Sequence, residues 1–140
     1  MGEGKGFYAT ISPFEYGEEL RVWHVGKPLL AFTQRTWSLD DGRPLHSETG
    51  FWRLIDGSHV ELVVAHPNGH AEVAEGELRG TSISVASISM TKTSTAKPVD
   101  SIERDIRVDG ETMSYDLRMA AMGRPLDGHL QAELRLGATH

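Results

Sequence analysis

Apolar and polar residues alternate along most of this chain with a period of two. In ETMSYDLRM, residues 111–119, Met113, Tyr115, Leu117 and Met119 fall on one side and Ser114, Asp116 and Arg118 on the other, which is the pattern of a strand with one buried face. SHVELVVAH, 58–66, puts Val60, Leu62, Val64 and His66 on one face, and SISVASISM, 82–90, sets Ile83, Val85 and Ser87 against Ser84, Ala86 and Ile88. Turn-forming groups punctuate the runs: DDGRP at 40–44, Asp56-Gly57, PNG at 67–69, Arg79-Gly80 and Asp109-Gly110. Such breaks between alternating runs make hairpins.

The runs so delimited lie near 7–11, 18–25, 29–38, 45–54, 58–66, 69–78, 82–90, 91–95, 100–108 and 111–119, with a last one near 129–136. No segment of helical length shows a 3.6 period. The pattern predicts an all-β protein of about ten antiparallel strands in up-and-down order. A barrel is the favoured closure, because meander order returns to its start and leaves no exposed edge. A barrel of that size encloses more space than side chains readily fill, so an internal ligand cavity is expected. Residues 1–140 form a single domain, with no linker, repeat or low-complexity tract.

Composition narrows the partners. A formal net charge of −6 and a pI near 5.6 argue against nucleic acid and anionic membrane, which require clustered Lys and Arg. The chain has no cysteine, which removes disulfides and thiolate metal sites and fits a reducing cytoplasm. MGEGKGFYATISPF lacks a secretory apolar core, and no run approaches the ~18 apolar residues of a membrane span. A soluble, cytoplasmic protein is expected.

Residue motifs alone carry little chemistry. GEGKG, 2–6, lacks the Lys-Ser/Thr ending of a phosphate loop and reads as a loose start or a strand with close backbone approach. No G-x-S-x-G elbow is present. Glu15, Glu18 and Glu19, and Glu72, Glu75 and Glu77, read as solvated faces. None of the seven histidines belongs to a helical H-E-x-x-H zinc motif, and an imidazole commonly satisfies a backbone carbonyl. His66 shares a face with Val60, Leu62 and Val64 and is expected inside, as a pocket donor. His129 shares its face with Gln131, Glu133 and Arg135, so periodicity alone places it outside.

A resemblance adds what periodicity does not. FYATISPFEY, HVGKPLLAFTQRTW, GRPLHSETGFWR, VELVVAHPNGHAEVAEG, STAKPV and SYDLRMAAMGRPLDGHLQAEL occur in order along nearly the whole chain and resemble the nitrobindins. These are haem-binding β-barrels similar to fatty-acid-binding proteins. Of that family's opening G-x-W-x-G-x-G signature, only the glycine tail is present, in GEGKG.

The resemblance implies that His129 is the proximal ligand of a ferric haem b. The turn MGRPLDG would then let the chain enter its last strand through a bulge, turning His129 inward against the alternation. It further implies cofactor contacts from Thr10 (with Ala9 where the family usually has Pro), from His46 on the far side of the haem, and from His66. Met119 is implied against the porphyrin, and Lys97 beside a propionate. The implied activity is nitric oxide binding and isomerisation of peroxynitrite to nitrate, with a homodimer expected. Two readings of other classes stand beside it: a carrier of a fatty acid or other lipophile, and a haem or nitric oxide sensor.

Overall fold

The computed structural model of the chain describes residues 2–8, 11–24, 26, 28–121 and 127–136, with side chains from residue 15 onward except 122–129. Ten strands follow one another: β1 Gly2–Tyr8, β2 Ile11–His24, β3 Leu29–Ser38, β4 Pro44–Ile55, β5 His59–His66, β6 His70–Arg79, β7 Ser82–Lys92, β8 Val99–Asp109, β9 Thr112–Ala121 and β10 Asp127–Arg135. Each pairs antiparallel with its sequence neighbours, and β1 pairs with β10 to close the barrel. No helix is present among the described residues, and none is long and apolar enough to cross a membrane. The Asp56-Gly57 turn places both residues at positive φ, 45° and 87°, as a tight hairpin between twisted strands requires.

Two boundaries differ from the sequence pattern. The run expected at 7–11 is the junction of β1 and β2, which begin earlier and run longer. Glycine at 2, 4 and 6 hides the alternation of β1, yet these glycines pair with Leu134, Ala132 and Leu130 on one side and with Glu18, Tyr16 and Phe14 on the other. The glycine tail therefore suffices to close the barrel. The run expected at 91–95 is no separate strand but the end of β7. Val73 pairs with Ser89 and Ala74 with Ser87, leaving Ile88 as an extra residue, and this bulge reverses the phase of the alternation.

The interior is layered. At one end Phe32, Val60, Leu62, Val64, Ala74 and Val85 form a buried apolar plug, each large aliphatic or aromatic side chain contributing about 1.5–3 kcal/mol. The strands approach closely there: a Cβ at Gly76 would lie 1.7 Å from the Ser84 carbonyl oxygen. A second cluster, Tyr16, Ala132 and Leu134, lines the β1 seam. Toward the other end β7 and β8 pair only through Ser82–Ala86 and Glu103–Arg107. Beyond that, the Ile102 N–H donates to Ser87 Oγ at 2.9 Å, which satisfies the backbone where the ladder stops. That open end collects the starts of β4, β6, β8 and β10 and the ends of β5, β7 and β9.

Candidate functional site

Strand register assembles a buried polar network between the apolar plug and the open end. Gly50 pairs with Val64 on β4 and β5, so one inward step further Glu48 comes beside His66. Val64 pairs with Glu72 on β6, and β8 brings Arg104 opposite Val85 on β7. Arg104 donates to both Glu72 oxygens, at 2.5 and 3.0 Å, and reaches Glu48 Oε2 at 3.4 Å. His66 Nε2 lies 2.9 Å from Glu72 Oε1, and its Nδ1 lies 3.0 Å from His46 Nε2. With an ionised carboxylate on Nε2, that nitrogen carries the proton and Nδ1 keeps its lone pair.

Burial opposes ionisation of Glu48, but Arg104, His46 and His66 outweigh it and hold the carboxyl down to about 2. Burial likewise acts against Glu72, and the hydrogen bonds of His66 and Arg104 outweigh it, lowering its pKa. A second group has the opposite sense. Burial raises Glu18 above the ordinary carboxylate range, although Tyr115 and Gln34 hydrogen-bond to it. Tyr115 donates to Glu18 Oε1, and its hydroxyl lies 2.8 Å from that of Tyr16.

Glu18 and Glu72, expected as solvated, are thus interior residues, 1% and 0% exposed. The alternation misleads here because the inner wall is itself polar, so an inward Glu looks like an outward one. Glu48 and Arg104 carried no sequence signal either, whereas Tyr115 was on the face that alternation marked as buried. The one available clue was register, since a β4–β5 hairpin about Asp56-Gly57 sets Glu48 beside His66.

Among the residues singled out in the sequence, the structure brings His46 and His66 together, their rings 5.1 Å apart. His66 is inside, with its side chain 5% exposed, whereas His46, near the start of β4, is 33% exposed. Met119 lies partly buried on β9, paired with buried Ile102 and with Asp127. Lys97 is exposed, but its carbonyl accepts from His70 Nε2 at 2.6 Å, so His70 ties the turn before β6 to the turn before β8. Thr10 and the side chain of His129 lie outside the described residues.

The backbone of β10 is described at His129, and it is irregular there. Gly128 pairs with Arg118 and Leu130 with Leu117, leaving His129 as an extra residue in the ladder. A bulge of this kind breaks strict alternation and re-aims the residues that it contains.

These features fit a haem. An axial imidazole is an ordinary iron ligand, and a histidine stands at the bulge. Leu117 and Met119 supply apolar surface on β9, and Leu130, paired with Leu117 in the ladder, packs against the Tyr16, Ala132 and Leu134 cluster. Across the barrel seam, Gly2, Gly4 and Gly6 of β1 pair with Leu134, Ala132 and Leu130 and add no side chains to that wall.

Comparison with known proteins agrees. Residues 1–135 match the family described as THAP4-like, heme-binding beta-barrel domain, and the chain belongs to this haem-binding β-barrel family, the nitrobindins. It is 45% identical over 141 residues to a protein of Nocardia farcinica named peroxynitrite isomerase, covering 96% of this chain and 82% of that one. It is 46% identical over 142 residues to peroxynitrite isomerase 1 of Mycobacterium tuberculosis, covering 95% and 85%. The crystal structure of Rv2717c from M. tuberculosis superposes with a TM-score of 0.91 at 44% identity, over 98% of this chain and 89% of that chain.

Proposed function

We propose that this protein holds haem b through His129, binds nitric oxide and isomerises peroxynitrite to nitrate. The observation that carries the reading is the one-residue bulge at His129, in a barrel whose 45–46% identical relatives are named peroxynitrite isomerases. Haem iron, when bound through one protein ligand, supplies a Lewis-acidic open position for a small anion. Leu117, Met119 and Leu130 would offer the haem apolar surface. On this reading His46 stands on the far side of the haem, Thr10 meets a propionate or the pocket rim and Lys97 a propionate, and Glu72 fixes the ring of His66.

A fatty-acid carrier fits the interior less well. Two ionised carboxylates, Glu48 and Glu72, surround the one guanidinium of Arg104, so the network already carries excess negative charge and repels a further carboxylate. A sensor remains distinguishable by kinetics. Stopped-flow decay of peroxynitrite should accelerate with haem-loaded protein over both haem-free protein and free hemin; no acceleration would refute the enzyme and leave a binding role.

The same reading places the protein in the cytoplasm as a homodimer. An outer row supports self-association: Trp23 pairs with Ala31, Ala31 with Phe51, Phe51 with Val63 and Val63 with Val73. Trp23, Phe51, Val63 and Val73 are all exposed, with buried Ala31 between Trp23 and Phe51, giving an apolar row whose exposed members lie on four strands, of the kind that interfaces cover.

A further inference from the structure

We propose that His46, Glu48 and His66 form a site for a first-row divalent cation of the zinc type, distinct from the haem ligand. Two imidazole nitrogens and one carboxylate oxygen converge there without any movement of the backbone. His46 Nε2 and His66 Nδ1 are 3.0 Å apart, and each lies 3.5 Å from Glu48 Oε2. A point equidistant from three atoms so arranged is about 2 Å from each, which is the length of a zinc–imidazole or zinc–carboxylate bond.

The surroundings match the demands of such a site. Metal-bound histidines usually donate their other ring N–H to an acceptor, which fixes tautomer and orientation. His66 does so already, through Nε2 to Glu72 Oε1 at 2.9 Å, and that leaves its Nδ1 lone pair facing the triad. Glu72 is itself held by Arg104 on both oxygens, so the acceptor is anchored. The charge also suits a cation: among the described residues the only guanidinium or ammonium group that Glu48 and Glu72 meet is Arg104, and their other partners are the imidazoles of His46 and His66. With His66 protonated on Nε2, the short His46–His66 contact places one proton, on His46 Nε2, between the two rings. A cation would take the place of that proton, as metal binding to histidine does.

Borderline N/O ligand sets suit Zn(II), and a site of three protein ligands leaves a fourth position for water or a small anion. Such a centre on the interior wall, with His46 partly exposed, would add a second Lewis acid to the open end. It does not depend on haem, and its failure would leave the haem reading untouched.

The test is equilibrium dialysis of the full chain, with and without hemin, against Zn(II), followed by metal quantification and circular dichroism. The wild type should retain one zinc per chain in the haem-free form. Glu72→Gln, through its orienting bond, should weaken retention by roughly 10–100-fold, and His46→Ala and Glu48→Gln, each removing a ligand, by at least as much. His59→Ala, in the outer group of His59, Glu61 and Glu75, should change nothing. If Glu48→Gln unfolds, His46→Ala decides the matter, because its ring is partly exposed. Zinc retained equally by wild type and His46→Ala, lost with His59→Ala, or not retained at all would overturn the assignment.

Discussion

Arg104 and Glu72 meet inside the barrel as a two-pronged pair, Nη1 to Oε2 at 2.5 Å and Nη2 to Oε1 at 3.0 Å, both side chains almost wholly out of water. β6 and β8 are separated by β7 in the sheet, so this pair spans a strand and links two walls through the interior. Removing Arg104 alone strands both Glu72 and Glu48, whereas removing Arg104 and Glu72 together leaves only Glu48 without its guanidinium.

Arg104→Leu should therefore cost about 3–5 kcal/mol, because it leaves two buried carboxylates without their cation. The double replacement Arg104→Leu/Glu72→Leu should lose less than the single one. Urea denaturation at neutral pH measures both, and a single variant as stable as the wild type would show that the pair does not act as a unit.

Glu18 predicts a pH dependence of definite sign. Burial raises its pKa in the folded state, with Tyr115 and Gln34 only partly offsetting it. The folded protein thus binds this proton more tightly than the unfolded chain, and the contribution is lost as pH rises through the folded value. Glu18→Gln keeps an acceptor for Tyr115 and removes the charge. It should stabilise the protein by roughly 1–3 kcal/mol at neutral pH, with the gain shrinking toward pH ~4. Thermal melts of both proteins across that range test this; a gain that grows in acid would contradict it.

Gly76 carries no side chain because the neighbouring strand leaves no space for one. With a Cβ placed 1.7 Å from the Ser84 carbonyl oxygen, Gly76→Ala must displace backbone. It should cost at least about 2 kcal/mol. Chemical denaturation checks the value, and a neutral outcome would mean that the β6–β7 approach is looser than the structure shows.

The outer apolar row predicts the effect of charge at its centre. Val63→Lys should convert a dimer into a monomer without loss of barrel content, read by sedimentation equilibrium and circular dichroism. A wild type that is already monomeric at tens of micromolar would remove the homodimer from the account.

Much of the fold was legible because its determinants are local. Turn pairs such as Asp56-Gly57 and Asp109-Gly110 mark hairpins, and Val60, Leu62 and Val64 mark an inner face. The interior network was not legible. Glu18, Glu72 and Arg104 sit on inner faces, where a polar residue at the correct phase is indistinguishable from an outer one until register across strands is known. Bulges hide the rest. At Ile88, itself outward with Ser84 and Ala86, the ladder slips by one, so that beyond it Met90, opposite buried Glu72, takes the inner phase, and at His129 simple alternation pointed outward while the ladder gains an extra residue. His66 was placed inside from alternation alone; its partner His46, twenty positions away, required the hairpin.

The most direct measurement is a hemin titration of wild type and His129→Ala, followed by absorption, with circular dichroism as the control on folding. A bulge residue contributes little to the core beside Leu134 or Leu130, so the variant should keep its barrel. The account predicts that wild type binds one hemin per chain with the spectrum of an imidazole-bound haem, and that His129→Ala loses this specific binding and haem-dependent peroxynitrite decay together. A folded His129→Ala that binds hemin with wild-type affinity and spectrum would contradict the account.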